Sequence, residues 1–263
     1  MKLDWSRVKK QTLWSYEDLI KKLQGVLAYE FVQEHYDHTM KQAQRYARKV
    51  RGGYLQNQGN TTAYIDAMMA NLEKLETLRH GRYSHLIAQV ATREQCLAFI
   101  QRTGFDFDSL IQTLNYLMRW VLPFKTPVRE FVDVDCVAEL KTLEVLKQHK
   151  VGSNLDILAV GQTKAARLLF SRLTGISVAY VTALVHKADI SRLAYVRGKT
   201  VKHLCGGGYD TLAKIAGANL VEMEKRMDVY YRTMGKSVAD FRAVIPLAWM
   251  VGGAQILPRV VRE

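Results

Sequence analysis

The sequence contains few prolines and cysteines, and both shortages restrict its class. Its 263 residues include only four prolines, too few for a proline-rich linker. The three cysteines, Cys96, Cys136 and Cys205, are an odd number and have no CxxC spacing. A disulfide framework is therefore not expected, and we predict reduced cysteines in a cytoplasmic protein.

The sequence also lacks the apolar stretches that targeting and membrane insertion require. Its beginning, MKLDWSRVKK, has no apolar core of a signal peptide. The longest apolar run, residues 244–257, is too short to span a bilayer and contains Pro246. We predict that this run forms a buried helix and that the protein has no membrane partner.

Motifs of the common enzyme classes are absent as well. We find no GxSxG, Walker loop, HExxH, or GxGxxG after a strand. The glycines of CGGGYD, residues 205–210, fit a helix end better than a phosphate loop. Glu30, Glu34 and His38 share one helical face, but a di-iron bundle needs a second Glu-x-x-His helix, which the sequence does not contain. We therefore expect no metal, no cofactor and no catalytic activity.

Positive charge is what the sequence has in excess. The formal net charge is +13, which favours polyanionic partners such as nucleic acid. Residues 1–70 carry 11 basic and 7 acidic side chains, residues 71–150 carry 11 and 10, and residues 151–263 carry 16 and 8. The surplus is therefore largest in the C-terminal part, with a smaller one at the N-terminus.

The hydrophobic pattern is helical throughout. Apolar residues near the start follow three-to-four spacing, and no sustained alternation typical of strands occurs. The chain also repeats itself, because residues 72–124 align without gaps onto residues 143–195. The shared TGF and TGI sequences place Gly104 and Gly175 at helix ends in a left-handed conformation. The repeat predicts that three identical pairs are buried at equivalent places: Leu97/Leu168, Phe99/Phe170 and Leu122/Leu193.

One stretch, LAYVRGKTV at residues 193–201, resembles the hairpin of helix-hairpin-helix DNA-binding motifs. Their pattern is Leu-Pro-Gly-Val-Gly-Pro-Lys-Thr-Ala, and Leu193, Val196, Lys199 and Thr200 match it. The resemblance implies a turn that brings backbone N–H groups and a helix start close to a phosphate. Tyr195 and Arg197 replace the two hairpin glycines, and Gly198 follows one residue later, so contact through basic side chains is the alternative. We expect Gly198 to have positive φ or to abut another backbone.

A wider resemblance covers residues 143–263. The steps TGI at 174–176, ADI at 188–190, RL at 192–193 and the turn at 208–213 resemble a bacterial family of unknown function built from helix-hairpin-helix-like units. The resemblance implies an all-α fold of tandem helix-hairpin-helix-like units with an N-terminal helical segment. The predicted domains are residues 1–70, 71–142 and 143–263.

These observations predict sequence-independent nucleic-acid binding, with DNA as the favoured partner, or else a helical protein-interaction or scaffold module. The candidate binding residues surround the hairpin: Lys187, Arg192, Arg197, Gly198, Lys199, Thr200, Lys202 and His203. A secondary basic stripe has helical spacing: Lys41, Arg45, Arg48, Lys49 and Arg51. A solvated helix face is the alternative interpretation of both sets, and it is favoured for the stripe. The hairpin of the first repeat keeps only Lys125 and Arg129.

Overall fold

The computed structural model describes residues 3–54, 59–79, 81–235 and 246–263. These residues fold into sixteen α-helices, and the same ranges contain isolated bridges but no strand. The all-α prediction is therefore confirmed. The chain divides into two compact units, Met1–Pro123 and Phe124–Glu263. The described residues of the predicted N-terminal segment, 3–54 and 59–70, lie within the first unit.

The first unit contains eight α-helices in its described residues. They are α1 Ser6–Thr12, α2 Tyr16–Leu27, α3 Glu30–Tyr36, α4 Met40–Tyr54, α5 Gly59–Thr77, α6 Tyr83–Gln89, α7 Arg93–Thr103 and α8 Phe107–Tyr116. A π-helical turn, Leu117–Val121, continues α8. The longest helices, α4 and α5, pack against each other, and α1 and α5 both pack on α8.

The second unit also contains eight α-helices in its described residues, preceded by a 3-10 turn at Val128–Glu130. They are α9 Val137–Gln148, α10 Asn154–Gly161, α11 Lys164–Thr174, α12 Val178–Ile190, α13 Gly198–Gly206, α14 Leu212–Ala216, α15 Leu220–Thr233 and α16 Leu247–Ile256. The buried helix predicted for residues 244–257 corresponds to α16, while Val244 and Ile245 lie outside the described residues. No described helix is long and apolar enough to cross a membrane.

The helix bounds follow the offset of the sequence repeat. Helices α6, α7 and α8 begin at residues 83, 93 and 107, and α10, α11 and α12 begin 71 residues later at 154, 164 and 178. Thr92 caps α7 and Thr163 caps α11, each accepting a backbone N–H with its hydroxyl. Both helices end at a left-handed glycine, Gly104 with φ 64° and Gly175 with φ 71°. The left-handed conformation predicted for these glycines is confirmed.

Burial agrees with the repeat at two of the three predicted pairs. Phe99/Phe170 and Leu122/Leu193 are buried. The third expectation is wrong, because Leu97 is only half-buried and Leu168 is exposed. Leu168 therefore lies on the solvent-facing side of α11.

The C-terminal segment, residues 257–263, is held by two buried guanidinium groups. Arg192 donates to the carbonyl of Pro258 at 3.0 Å. Arg167 donates to the carbonyl of Arg262 and, at 3.1 Å, to the carboxylate of Glu263. The backbone N–H of Arg262 in turn donates to the carbonyl of Gln162 at 2.8 Å. The segment is thereby attached along its length to the core of the second unit.

Candidate nucleic-acid interface

The predicted hairpin lies between α12 and α13, and a tyrosine makes its sharp turn. Tyr195 has φ 63°, a left-handed conformation that glycine adopts at much lower cost. It occupies one of the two positions at which the helix-hairpin-helix pattern has glycine. The backbone therefore turns sharply at Tyr195, and a bulky side chain, 37% exposed, projects from the turn.

A carboxylate already occupies the N-terminus of α13, the place that a phosphate takes in such hairpins. The N–H of Gly198, the first residue of α13, donates to Glu130 Oε2 at 3.2 Å. A Cβ at Gly198 would lie 2.5 Å from the carbonyl oxygen of Glu130, so only glycine permits this approach. The expectation that Gly198 abuts another backbone is confirmed. Sequence reasoning missed Glu130, because no local signal links residues 68 positions apart.

Two of the predicted lysines bind the same loop that carries Glu130. Lys187 Nζ donates to the carbonyl of Phe131 at 2.8 Å, and Lys202 Nζ donates to the carbonyl of Val132. The guanidinium of Arg197 stacks 3.7 Å from the ring centroid of Phe124. Residues 124–132 thus hold three of the predicted basic side chains, Lys187, Lys202 and Arg197.

Other predicted hairpin residues belong to the core. Arg192 is 4% exposed and forms an ion pair with Asp189, in which its Nε donates to Asp189 Oδ1 at 2.8 Å. This corrects its assignment to the binding surface, since a buried guanidinium paired with a carboxylate cannot reach a phosphate. Thr200 is also buried. His203 packs its ring against Tyr230 and Tyr231.

Of the predicted hairpin residues, Lys199 is the one best placed to contact a phosphate. It is exposed on the first turn of α13 and forms no ion pair within the described part of the chain. Lys202 is also exposed, although its amine is engaged by Val132. The structure therefore does not gather the eight predicted residues into one solvent-facing cationic surface.

In contrast to the hairpin residues, the basic side chains of the secondary stripe on α4 face solvent. One face of α4 is buried, and its members are Met40, Ala43, Tyr46, Ala47 and Val50. The opposite face, which we call the α4 cationic face, consists of Lys41, Arg45, Arg48 and Lys49, and all four side chains are exposed. The helix sequence MKQAQRYARKVRGGY contains no acidic residue. This amphipathic division fixes α4 on α5 and directs its charges to solvent.

The α4 cationic face is free of carboxylate partners among the described residues. Arg51, the last member of the predicted stripe, does pair with Asp66, with Nε and Oδ1 2.7 Å apart. None of Lys41, Arg45, Arg48 and Lys49 forms an ion pair in those residues. Their charges are therefore not cancelled locally, so a bound polyanion would displace only water and ions.

His38 lies two residues before the start of α4 and is half-buried. Its ring packs against Tyr46 and Tyr83. Burial lowers the pKa of His38 from its ordinary value of 6.5; the positive charges of Arg82 and Lys49 lower it further, while Asp37 and a backbone hydrogen bond oppose them. The metal-ligand pattern that includes His38 forms no cluster, since no group of three His, Cys, Asp or Glu suited to a metal occurs in the described ranges.

In comparisons with known proteins, no family model matches the chain, and neither a curated protein nor a solved structure matches it. The resemblance to a helix-hairpin-helix family therefore stays a prediction based on the residues named above. Function is consequently inferred from the geometry of the two basic surfaces.

Proposed function

We propose that this protein binds nucleic acid without reading its sequence, and that the α4 cationic face is the principal contact. The observation that carries the proposal is the set of four exposed cations on a helix without a single carboxylate. Contacts of Lys and Arg with phosphates supply affinity that does not depend on base sequence. The proposed activity is non-catalytic and needs no cofactor.

The length of the face suits a phosphate backbone. Lys41 and Lys49 are eight residues apart, which corresponds to about 12 Å along a helix. Phosphates of one strand follow each other every 3.4 Å or so along a duplex axis, so about three or four lie within this length. Four side chains with long, flexible stems can therefore each meet a phosphate when the helix lies along a strand.

The hairpin has a smaller part in this proposal. Glu130 neutralises the N-terminus of α13, and the carbonyls of residues 131 and 132 hold two of the lysine amines. Lys199 remains as an accessory contact, worth at most one phosphate. DNA stays the favoured partner over RNA only through the resemblance of the hairpin.

We further propose that the two units contain copies of one helix-hairpin-helix-like element. The shared offset of three helix starts, the two threonine caps and the two left-handed glycines support this. Two left-handed residues other than glycine, Arg79 and Lys150, lie at the same offset, and both have φ 59°. Strained backbone positions are rarely shared by unrelated segments, so these two residues support a duplication more strongly than apolar identities do.

The second candidate function is a protein-interaction or scaffold module. The carboxylate of Glu130 at the N-terminus of α13 favours it, because this contact makes the hairpin a stable corner of the fold. The two candidates are compatible, since the α4 cationic face and the hairpin are separate surfaces in sequence and in chemistry.

Fluorescence anisotropy with a labelled duplex, a labelled single strand and unlabelled competitors tests the proposal. We expect binding at low salt that unrelated sequences compete equally and that weakens steeply as salt is added. Vesicles rich in anionic lipid are the second competitor. Absence of binding at low salt, or binding to vesicles alone, would refute nucleic acid as the ligand.

A further inference from the structure

The second unit leaves an apolar surface open on α11 and α12. Leu168 on α11 is 43% exposed, and Val178 at the start of α12 is 42% exposed. Ala179 and Ala183, also on α12, are exposed as well. Together with Lys164, at the start of α11, these residues define the α11–α12 face. Helices α11 and α12 pack against each other, so these exposed residues lie on neighbouring helices. Exposed apolar side chains on neighbouring helices are the kind of surface that partners cover.

The first unit shows what covers the corresponding surface there. Trp5, just before α1, packs edge-on against Phe107 with ring centroids 5.3 Å apart. The guanidinium of Arg93 lies 5.0 Å from the centroid of the Trp5 ring. Phe107 is consequently 8% exposed. Phe107 and Arg93 stand 71 positions before Val178 and Lys164, so the counterpart of the α11–α12 face is covered by an aromatic side chain.

Polar contacts hold α1 in place over α8. Arg7 forms an ion pair with Asp108, and Gln11 Nε2 donates to Asp108 Oδ1 at 2.8 Å. Glu17, which follows in α2, accepts from Arg93 Nε at 2.6 Å. The covering segment thus supplies a tryptophan, a short helix and a carboxylate twelve residues later.

The second unit keeps residues of the receiving kind, and among its described residues Lys164, Leu168 and Val178 stay exposed. Lys164 preserves the cation of Arg93, and Val178 preserves an apolar site at the position of Phe107. Ala179 occupies the position that corresponds to Asp108. A covering segment of the second unit would therefore find no carboxylate there to pair with a basic residue like Arg7. Helix α11 has no acidic residue and exposes Lys164 and Arg172.

We propose that the α11–α12 face docks a short acidic helix of another protein, with an aromatic residue seated between Lys164, Leu168 and Val178. Cation–π contact with Lys164 and burial of the apolar side chains supply the affinity, and a carboxylate of the partner meets Lys164 as Glu17 meets Arg93. A second copy of this chain fits less well, since its α11 would bring the same cations to a two-fold interface and its Trp5 is engaged by its own Phe107.

A labelled peptide with the sequence of residues 4–19 is the probe; it carries Arg7→Leu to suit Ala179, and Lys9→Glu with Lys10→Glu to make its helix acidic. Added to the full-length chain, it should bind saturably, and the double change Leu168→Glu with Val178→Glu should weaken binding by about tenfold or more. Val221→Glu together with Val229→Glu on α15 is the matched control, because both are exposed valines elsewhere in the second unit, and it should leave binding unchanged. A peptide with Trp5→Ala should bind as poorly as the double variant does.

Three outcomes would overturn the proposal. The first is no saturation at millimolar peptide, and the second is equal binding by the double variant and the wild type. The third is self-association in sedimentation velocity that the double variant abolishes, which would assign the face to a second copy. The substituted side chains are exposed, so circular dichroism and urea unfolding should show the variants folded. None of these readouts depends on nucleic-acid binding.

Discussion

Removal of charge from the α4 cationic face is the most direct test of the proposed function. The variant carries Lys41→Gln, Arg45→Gln, Arg48→Gln and Lys49→Gln, which lowers the net charge from +13 to +9. Glutamine has a helix propensity close to those of lysine and arginine, and exposed changes alter stability by about 0.5 kcal/mol or less, so α4 should remain folded. For every phosphate that the variant no longer neutralises, the slope of log K against log salt should become shallower by about 0.9 for duplex DNA, or about 3.6 for four phosphates.

The expected difference in affinity is large enough to measure. Between 50 and 200 mM salt, a slope difference of about 3.6 means that the wild type weakens about 150-fold more than the variant does. Anisotropy titrations at four or five salt concentrations give the slope directly. On single strands the expected change is smaller, about 2.8, because each neutralised phosphate releases fewer counterions.

A matched control separates the face from total charge. Four exposed lysines outside α4 change to glutamine in the control, which also has a net charge of +9: Lys9, Lys10, Lys21 and Lys225. We expect the control to keep most of the wild-type slope of log K against log salt. Lys199→Gln alone should make that slope shallower by about 0.9 at most. If the α4 variant keeps the wild-type slope, or if the slope of the control falls as far, the α4 cationic face is not the contact surface.

Three further predictions concern the core. Gly198→Ala should destabilise the protein by about 1–3 kcal/mol in urea unfolding, because the added Cβ would meet neighbouring backbone. The control Gly25→Ala places a Cβ in open space within α2 and should stabilise the protein by up to about 1 kcal/mol. Equal effects of the two changes would exclude the close approach at Gly198. Asp189→Ala should cost about 3–5 kcal/mol by leaving Arg192 buried without its carboxylate, and a destabilisation within 0.5 kcal/mol or so would contradict that burial. Because the pKa of His38 is lowered in the folded state, protonation of His38 favours the unfolded state. The neutral imidazole therefore contributes fully to the stability of the fold above pH 6.5, and this contribution declines as the pH falls toward the lowered pKa. His38→Gln should remove that part of the pH dependence of thermal unfolding, and an unchanged profile would show that His38 does not cause it.

Local sequence signals predicted much of the fold. The glycine ends predicted for α7 and α11 depend on a few neighbouring dihedral angles, and Gly104 and Gly175 have the predicted left-handed conformation. Thr92 and Thr163 cap the other ends of these helices and depend on equally local contacts. Helix ends depend on interactions within one turn, so one sequence suffices to place them.

The site was harder to predict because it depends on contacts between distant residues. Arg192 and Arg45 are alike in sequence, yet one is buried against Asp189 and the other is exposed on a helix without acids. The loop that carries Glu130 decides the role of the hairpin, and nothing in residues 193–201 indicates it. The apolar spacing of α4 indicates its buried face, but whether a charged residue such as Arg192 is enclosed follows from tertiary packing.

The attachment of residues 257–263 has a consequence for how the second unit unfolds. Chain ends usually detach at little cost, and their opening is independent of the rest. Here detachment would remove the Pro258 carbonyl from Arg192 and the Glu263 carboxylate from Arg167, whereas Arg192 would keep Asp189 and Arg167 would keep the carbonyl of Gly161. A hydrogen bond to a charged group is worth about 1.5–3 kcal/mol, so losing these contacts costs a substantial part of the stability of a typical domain. Amide hydrogens of residues 257–263 should therefore exchange more slowly than those of an unattached segment, because each opening breaks these bonds.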